Sequence, residues 1–482
     1  MQMNTKYDAV VVGSGPNGFA AAITMQRAGL SVLMIEGKDT LGGGMRSAEL
    51  TLPGFIHDVC SAVYPLGEDS PVFQPLHLQQ FGLEYLQPEY AVAHPFDDGS
   101  AVAIQSSIEN TAAELGKDAG NYKRIFSPLV NEWPSIRSAF VAPLHISNFT
   151  ETKARFAYYA MSSGRNFAKN EFTTNAARSL FAGMAAHSML PLNKATTSAI
   201  GLVLNTVAHI NCWPIPKVGA QQITLALSNC FKSLGGEIQT GNMITSLQQL
   251  PSSRVVLLDV TPAQLLSIAG KQFSEFYKWQ LRRYQYGEGV FKIDWALSQP
   301  APFINDKCRK APTIHVGGNF EEIYESEHII SKNTVSDKPF VLFVQPGVID
   351  SSRAPEGKQT AWAYCHVPNG SKRDMSEVIE KQVGRFAPGF RDCILARHVM
   401  NTADMQLYNS NYVGGDINGG AATIDQIFTR PALRLSPYRT SAKGIYVCSS
   451  STPPGGGVHG ICGYYAARRA LKDLFNRNLP WL

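Results

Sequence analysis

The sequence predicts an α/β protein in two parts: a parallel-sheet domain assembled from the start, middle and end of the chain, and a mixed α+β region set between its pieces. Three observations carry this. Near the N-terminus an apolar strand over residues 7–12 runs into Gly13-Ser14-Gly15-Pro16-Asn17-Gly18 and out into an Ala-rich helix over residues 19–28. Near the C-terminus a strand over 444–449, a loop with three successive glycines (Gly455, Gly456, Gly457) and a helix over 461–474 repeat the same order. Between them the pattern passes from helical periodicity to alternating strands, which reads as an insertion.

The first turn is the most informative element. Glycines without a Cβ let backbone N–H groups and the positive end of a helix approach a phosphate closely. A second strand over 31–35 ends at Glu36, eighteen residues beyond Gly18. A dinucleotide-binding fold wants a carboxylate there to accept ribose hydroxyls. A second glycine cluster, Gly42-Gly43-Gly44, follows with Arg46 behind it. A plain nicotinamide site does not need it; a longer cofactor, with the arginine free to meet a phosphate, does.

The next elements are taken in chain order. Pro53-Gly54 turns into an apolar segment through Tyr64, and 106–211 reads as mainly helical, rich in Phe, Tyr, Met and Ala. Such a stripe is ordinary core, with His187 and His209 as buried structural histidines. An amphipathic helix over 221–234, a turn and strand over 235–240 and an apolar strand over 255–260 return to the first domain. Segments 289–295, 340–344 and 360–367 alternate as strands of a largely antiparallel sheet. Asp416-Ile417-Asn418-Gly419-Gly420 is a glycine-rich loop without an evident use.

Bulk properties exclude several classes. With 482 residues, two to three domains are expected. A net charge of +5 without a Lys/Arg run gives no case for nucleic acid. The eight cysteines never form a Cys-x-x-Cys pair, which argues against a zinc site, a disulfide oxidoreductase or a stapled secreted fold. The first strand starts almost at once, leaving no room for a signal peptide, and no stretch reaches about twenty apolar residues. The expectation is a cytoplasmic protein, with peripheral membrane contact through the 140–200 region left open.

Gly13-x-Gly15-x-x-Gly18-x-x-x-Ala22, Gly29, Glu36 and Gly42-Gly43 resemble the FAD fingerprint of amine oxidases, phytoene desaturases and Rab GDP-dissociation inhibitors. Thr452-Pro453-Pro454-Gly455-Gly456-Gly457-Val458-x-Gly460 resembles the closing loop of the phytoene desaturase and carotene isomerase branch. Gly414 to Gly420 is similar to a motif of phytoene-dehydrogenase-like oxidoreductases. The resemblance implies FAD as cofactor. Its implied binding set is Gly13, Gly15, Pro16, Asn17, Gly18, Glu36, Gly37, Gly43, Gly44, Met45, Arg46, Met243, Gly456, Gly457 and Val458. The glycines of the first turn would meet the pyrophosphate and Glu36 the ribose. Gly43, Gly44 and Arg46 would lie along the phosphates and Met243 against the adenine. Gly456 to Val458 would lie beside the isoalloxazine. A discontinuous FAD domain follows (1–75, 216–277 and 435–482), with a helical segment at 76–215 and an antiparallel-sheet segment at 278–434 making the substrate domain.

The implied activity is hydride transfer from a C–H bond of a hydrophobic, polyene-like substrate to flavin, or its isomerisation, with oxygen or a quinone as electron acceptor. No Ser/His/Asp or paired-carboxylate arrangement is visible, and an apolar tunnel needs none. His459 is the one titratable residue at the expected flavin, as an acid–base or orienting group or as a structural part of its loop. Cys462 reads as packing. Two other classes compete: an oxidase of a small amine, with Trp295, Trp362 and Tyr364 as its aromatic cage, and a non-enzymatic binder on the same fold. Substrate identity and oligomeric state are not encoded legibly.

Overall fold

The computed structural model describes residues 6–141 and 150–480. Five parallel strands form the first sheet in the order Ile445–Val447, Ser253–Leu258, Tyr7–Val12, Val32–Ile35, Glu237–Gln239. Tyr7–Val12 is central: Val10 stands opposite Val256 on one side and Leu33 on the other. A central parallel strand is covered on both faces, which explains its unbroken apolar run. Ala9, Val10 and Val11 are fully buried, and each buried valine contributes roughly 1.5–3 kcal/mol.

The helix after the first turn, Pro16–Arg27, packs on the final helix, Ile461–Phe475. Their shared face is built from alanines, among them Ala20, Ala21, Ala466, Ala467 and Ala470, all buried. Small side chains let the axes approach, and the limit is reached at Gly463, where a Cβ would collide with the Asn17 carbonyl oxygen. The two ends of the chain are thereby locked together.

The second sheet has seven strands in the order Ile394–Met400, Gly289–Leu297, Gln359–Val367, Val341–Val344, Thr313–Val316, Val92–Pro95, Ala101–Ile104. All neighbours are antiparallel except Thr313–Val316 beside Val92–Pro95. Two strands from 92–104 thus complete a sheet otherwise drawn from 289–400. One face carries Trp295, Phe343, Ala363 and Cys365 into a core with Ile379 and Val383 of the helix Ser376–Gly384. By alternation the other face carries Lys292, Asp294, Trp362, Tyr364 and His366. It meets the helical layer, chiefly Asn175–Ala186 and Thr197–Asn211. Of the 140–200 stretch, residues 142–149 lie outside the described residues; Tyr158 and Met161 are exposed.

A buried ion network joins the two parts. Arg353 is fully buried and donates to Asp58 Oδ2 (3.0 Å), Asp350 Oδ2 (2.8 Å) and the Pro216 carbonyl (3.1 Å). No helix among the described residues is long and apolar enough to cross a membrane.

Candidate functional site

The two glycine loops line one cavity of about 720 Å³. The first contributes Gly13 to Asn17, and with it come Glu36 to Lys38, Gly43, Gly44, Arg46 and Met243. The second contributes Gly456, Gly457, Val458 and His459. Residues more than four hundred positions apart therefore line a single space, as a cofactor spanning both loops requires.

The first turn is tied before any ligand arrives. Gly13 takes φ +101°, a left-handed value that other residues rarely adopt, and its N–H donates to the Ile35 carbonyl (2.8 Å). Gly15 caps the helix without a side chain, leaving the helix N-terminus facing the cavity. Ser14 donates from its N–H (3.0 Å) and its hydroxyl (2.6 Å) to Glu36 Oε2. Glu36 Oε1 accepts the Lys38 N–H (2.9 Å) and lies 3.4 Å from the Arg46 guanidinium. Arg46 is buried rather than solvated; Nε and Nη2 donate to the Thr40 carbonyl, and its charge lies 5.5 Å from the Tyr408 ring centroid.

Two members of the expected set do not face the cavity. Met45 is fully buried in the core of the first domain. Its N–H is bonded to the Gly42 carbonyl and its own carbonyl accepts the Thr224 hydroxyl, so neither backbone group is free for a ligand. Gly18 packs the helix onto the turn: a Cβ there would collide with the Gly13 carbonyl oxygen, and its N–H already donates to Asp259. Met243 is half-exposed, with its thioether against Gly37.

Asp259 escaped the sequence reading. It follows the strand Ser253–Leu258 and puts Oδ2 2.9 Å from the Gly18 nitrogen, so a carboxylate occupies the helix N-terminus inside the cavity. A Cβ on Gly15 would lie 2.7 Å from the same oxygen. Burial, opposed by the Gly18 N–H and aided by the nearby Glu36, pushes its pKa up to about 7. The only signal in the sequence is an acid closing an apolar run, Val255 to Leu258.

The His459 ring is bound into its own loop. Nδ1 accepts the Ile461 N–H (3.1 Å), which assigns the proton to Nε2, facing the Gly456 carbonyl at 3.3 Å. Burial lowers its pKa to about 4. Cys462 is buried with its thiol directed at the Thr452 and Gly455 carbonyls and its pKa raised by burial to about 11, the state of an inert thiol. The loop at 416–420 now has a role. Asp416 accepts the Gly287 N–H (2.7 Å) and Asn418 N–H (2.8 Å), and the Gly419 carbonyl accepts the Ser451 hydroxyl (2.7 Å). A Cβ on Gly456 would lie 2.9 Å from Asn418 Oδ1, so this loop backs the second glycine loop.

Beyond the glycine loops the wall is apolar, with Val63, Leu66, Ile200, Val203, Leu342 and Val344 among its residues. Trp362 and Tyr364 lie side by side on it, ring centroids 5.9 Å apart at 12°. Trp295 does not join them. Alternation sends it to the opposite face of the sheet, where it is fully buried and its indole N–H donates to Glu380 (3.1 Å). Behind Trp362, 5.0 Å from its ring centroid, lies the buried ammonium of Lys292, paired with Asp294.

The parallel sheet with its glycine turn is the fold of a dinucleotide-binding domain, and the comparisons agree. Residues 11–77 match the model of the NAD(P)-binding Rossmann-like domain. The whole chain is similar to pyridine nucleotide-disulfide oxidoreductase domain-containing protein 2 of Mus musculus (24% identical, covering 98% of this chain and 95% of that one). It is likewise similar to phytoene desaturase of Fusarium fujikuroi (24% identical, 99% and 91%). Its fold is that of a putrescine oxidase solved with putrescine bound (TM-score 0.63, 15% identical, 98% and 99%). The sequence similarity therefore lies with oxidoreductases, and the fold is the one that the solved oxidase shares.

Proposed function

We propose that the protein binds FAD along this cavity and acts on an extended apolar substrate, as a dehydrogenase, desaturase or isomerase. The observation that carries the reading is the continuity of the cavity from two glycine loops into an apolar wall. The residues fit the cofactor: a helix N-terminus and N–H groups for a pyrophosphate, the Glu36 carboxylate for a ribose, and a glycine loop that a flat ring can approach. Gly13, Gly15, Asn17, Gly43, Gly44 and Arg46 would hold the first half; Gly456 to Val458 would adjoin the ring. When bound, FAD supplies hydride acceptance from a C–H bond and reoxidation by oxygen or a quinone.

The chain's own part is positioning and exclusion of water. The mainly apolar stretch of the wall holds a C–H bond in place and desolvates it, while the Asp69–Arg137 pair and His187 are polar points in the same lining. His459, neutral above pH ~4 and bonded at both ring nitrogens to its loop, shapes the loop rather than moving a proton.

The test is the visible spectrum of the purified protein followed by anaerobic titration. Flavin bands, bleached by polyenes and not by aliphatic amines, are the expected result. No bands and no uptake of added FAD would overturn the cofactor assignment; bleaching by amines alone would overturn the substrate class.

A further inference from the structure

Outside the cavity, three side chains of the second sheet and its helical cover converge. His366 lies on the strand Gln359–Val367, opposite Val290, and Glu288 immediately precedes the neighbouring strand Gly289–Leu297. Glu327 projects from the last turn of the helix Phe320–Ile330 onto its buried face, beside Ile323 and Ile330. One donor atom from each lies within 4.8 Å of the others. Glu327 is fully buried and His366 nearly so.

A carboxylate in that place runs against three physical preferences. It is out of water, it lies at the negative end of a helix, and it has a second carboxylate for a neighbour. The His366 ring answers only part of this, through Nδ1 to Glu327 Oε2 at 2.7 Å. Three further donor atoms, Glu327 Oε1, Glu288 Oε2 and His366 Nε2, are buried with no hydrogen-bond partner. Hydrogen bonding within the trio therefore does not satisfy it, although polar atoms this deeply buried are nearly always paired. Two carboxylates and a neutral imidazole carry two negative charges, which one divalent cation cancels. Ligand bonds of about 2.0–2.2 Å would draw atoms at this spacing together with small side-chain adjustments.

We propose that Glu288, Glu327 and His366 form a site for a first-row divalent cation, zinc or manganese, pinning the helix Phe320–Ile330 to two strands of the second sheet. The mixed carboxylate and imidazole set suits these ions. The site's consequence reaches the cavity wall. Tyr364, which lines the cavity, is two residues from His366 on the same strand, ring centroids 5.6 Å apart. The ion would hold that strand rather than touch substrate.

The full-length chain, stripped with EDTA and dialysed, is titrated calorimetrically with Mn²⁺ and with Zn²⁺, and the metal content of the untreated protein is measured by mass spectrometry. Mn²⁺ is the cleaner probe because the eight free cysteines favour zinc. One equivalent should bind, with affinity at least tenfold weaker in Glu327→Gln and His366→Asn, and Mn²⁺ should raise the melting temperature of the wild type. Should those variants not fold, Glu288→Gln at the half-buried position should fold and lose the Mn²⁺-dependent rise. No stoichiometric binding of either ion would overturn the proposal in favour of a trio that shares protons. Equal binding by wild type and Glu288→Gln would overturn it in favour of a site elsewhere.

Discussion

Replacing Asp259 by Asn removes a buried acid while keeping its shape, and the Asn side-chain carbonyl can still accept the Gly18 N–H. In the folded protein the carboxyl is raised from 3.8 to about 7, chiefly by burial. Between those two values the native state holds a proton that the unfolded chain has released. Stability therefore falls as pH rises through that window, and the loss is complete above about pH 7. At ~1.4 kcal/mol per pH unit, some three units amount to roughly 4 kcal/mol. Asp259→Asn carries no such loss. Urea or thermal unfolding of both proteins at pH 4, 6 and 8 should show near-equal stability at pH 4 and a gap that widens in favour of the variant up to about pH 7. A bound pyrophosphate adds negative charge to the same place, so FAD release from the wild type should also rise between pH 6 and 8 and stay flat in the variant. Parallel stability curves, or a variant weaker than wild type at pH 8, would refute the reasoning.

Three other outcomes are expected. Gly463→Ala places a methyl against the Asn17 carbonyl oxygen and should destabilise the chain by ~1–3 kcal/mol, read as a lower melting temperature with reduced flavin retention. Arg353→Met leaves Asp58 and Asp350 buried without their cation and should lower stability by ~3–5 kcal/mol in urea titration. His459→Gln should leave the pH profile of turnover between 6 and 8 unchanged and reduce kcat by less than about tenfold. A loss in the 10²–10⁴ range that general acid–base catalysts show would restore a proton-transfer role.

Local signals made the first glycine turn and its flanking elements legible. The strand at Tyr7–Val12 and the helix beginning at Pro16 follow from an apolar run and a glycine turn, features encoded within a few residues of one another. What stayed hidden depends on pairing across the chain. Trp295 and Trp362 both sit in alternating segments, but opposite faces follow only from the register that sets Trp295 against Ala361. Met45 shares the glycine cluster yet turns inward, because Thr224, far along the chain, takes its carbonyl. The backing role of the 416–420 loop depends on contacts with Gly287 and Ser451. Asp259 falls inside the segment that reads as an apolar strand over 255–260, and nothing near it in sequence reveals that Gly18 supplies its hydrogen bond.

The order of strands in the first sheet also dictates a timetable. The central strand, Tyr7–Val12, is synthesised well before Ser253–Leu258, its second partner, which follows more than two hundred residues later. The outer strand Ile445–Val447 and the helix that clasps the first helix follow later still. Until then a sticky, unpaired β edge persists on the nascent polypeptide, the kind of surface that recruits chaperones or aggregates. A chain cut before residue 440 would keep its opening glycine turn yet lack the second glycine loop and the helix that clasps the first one.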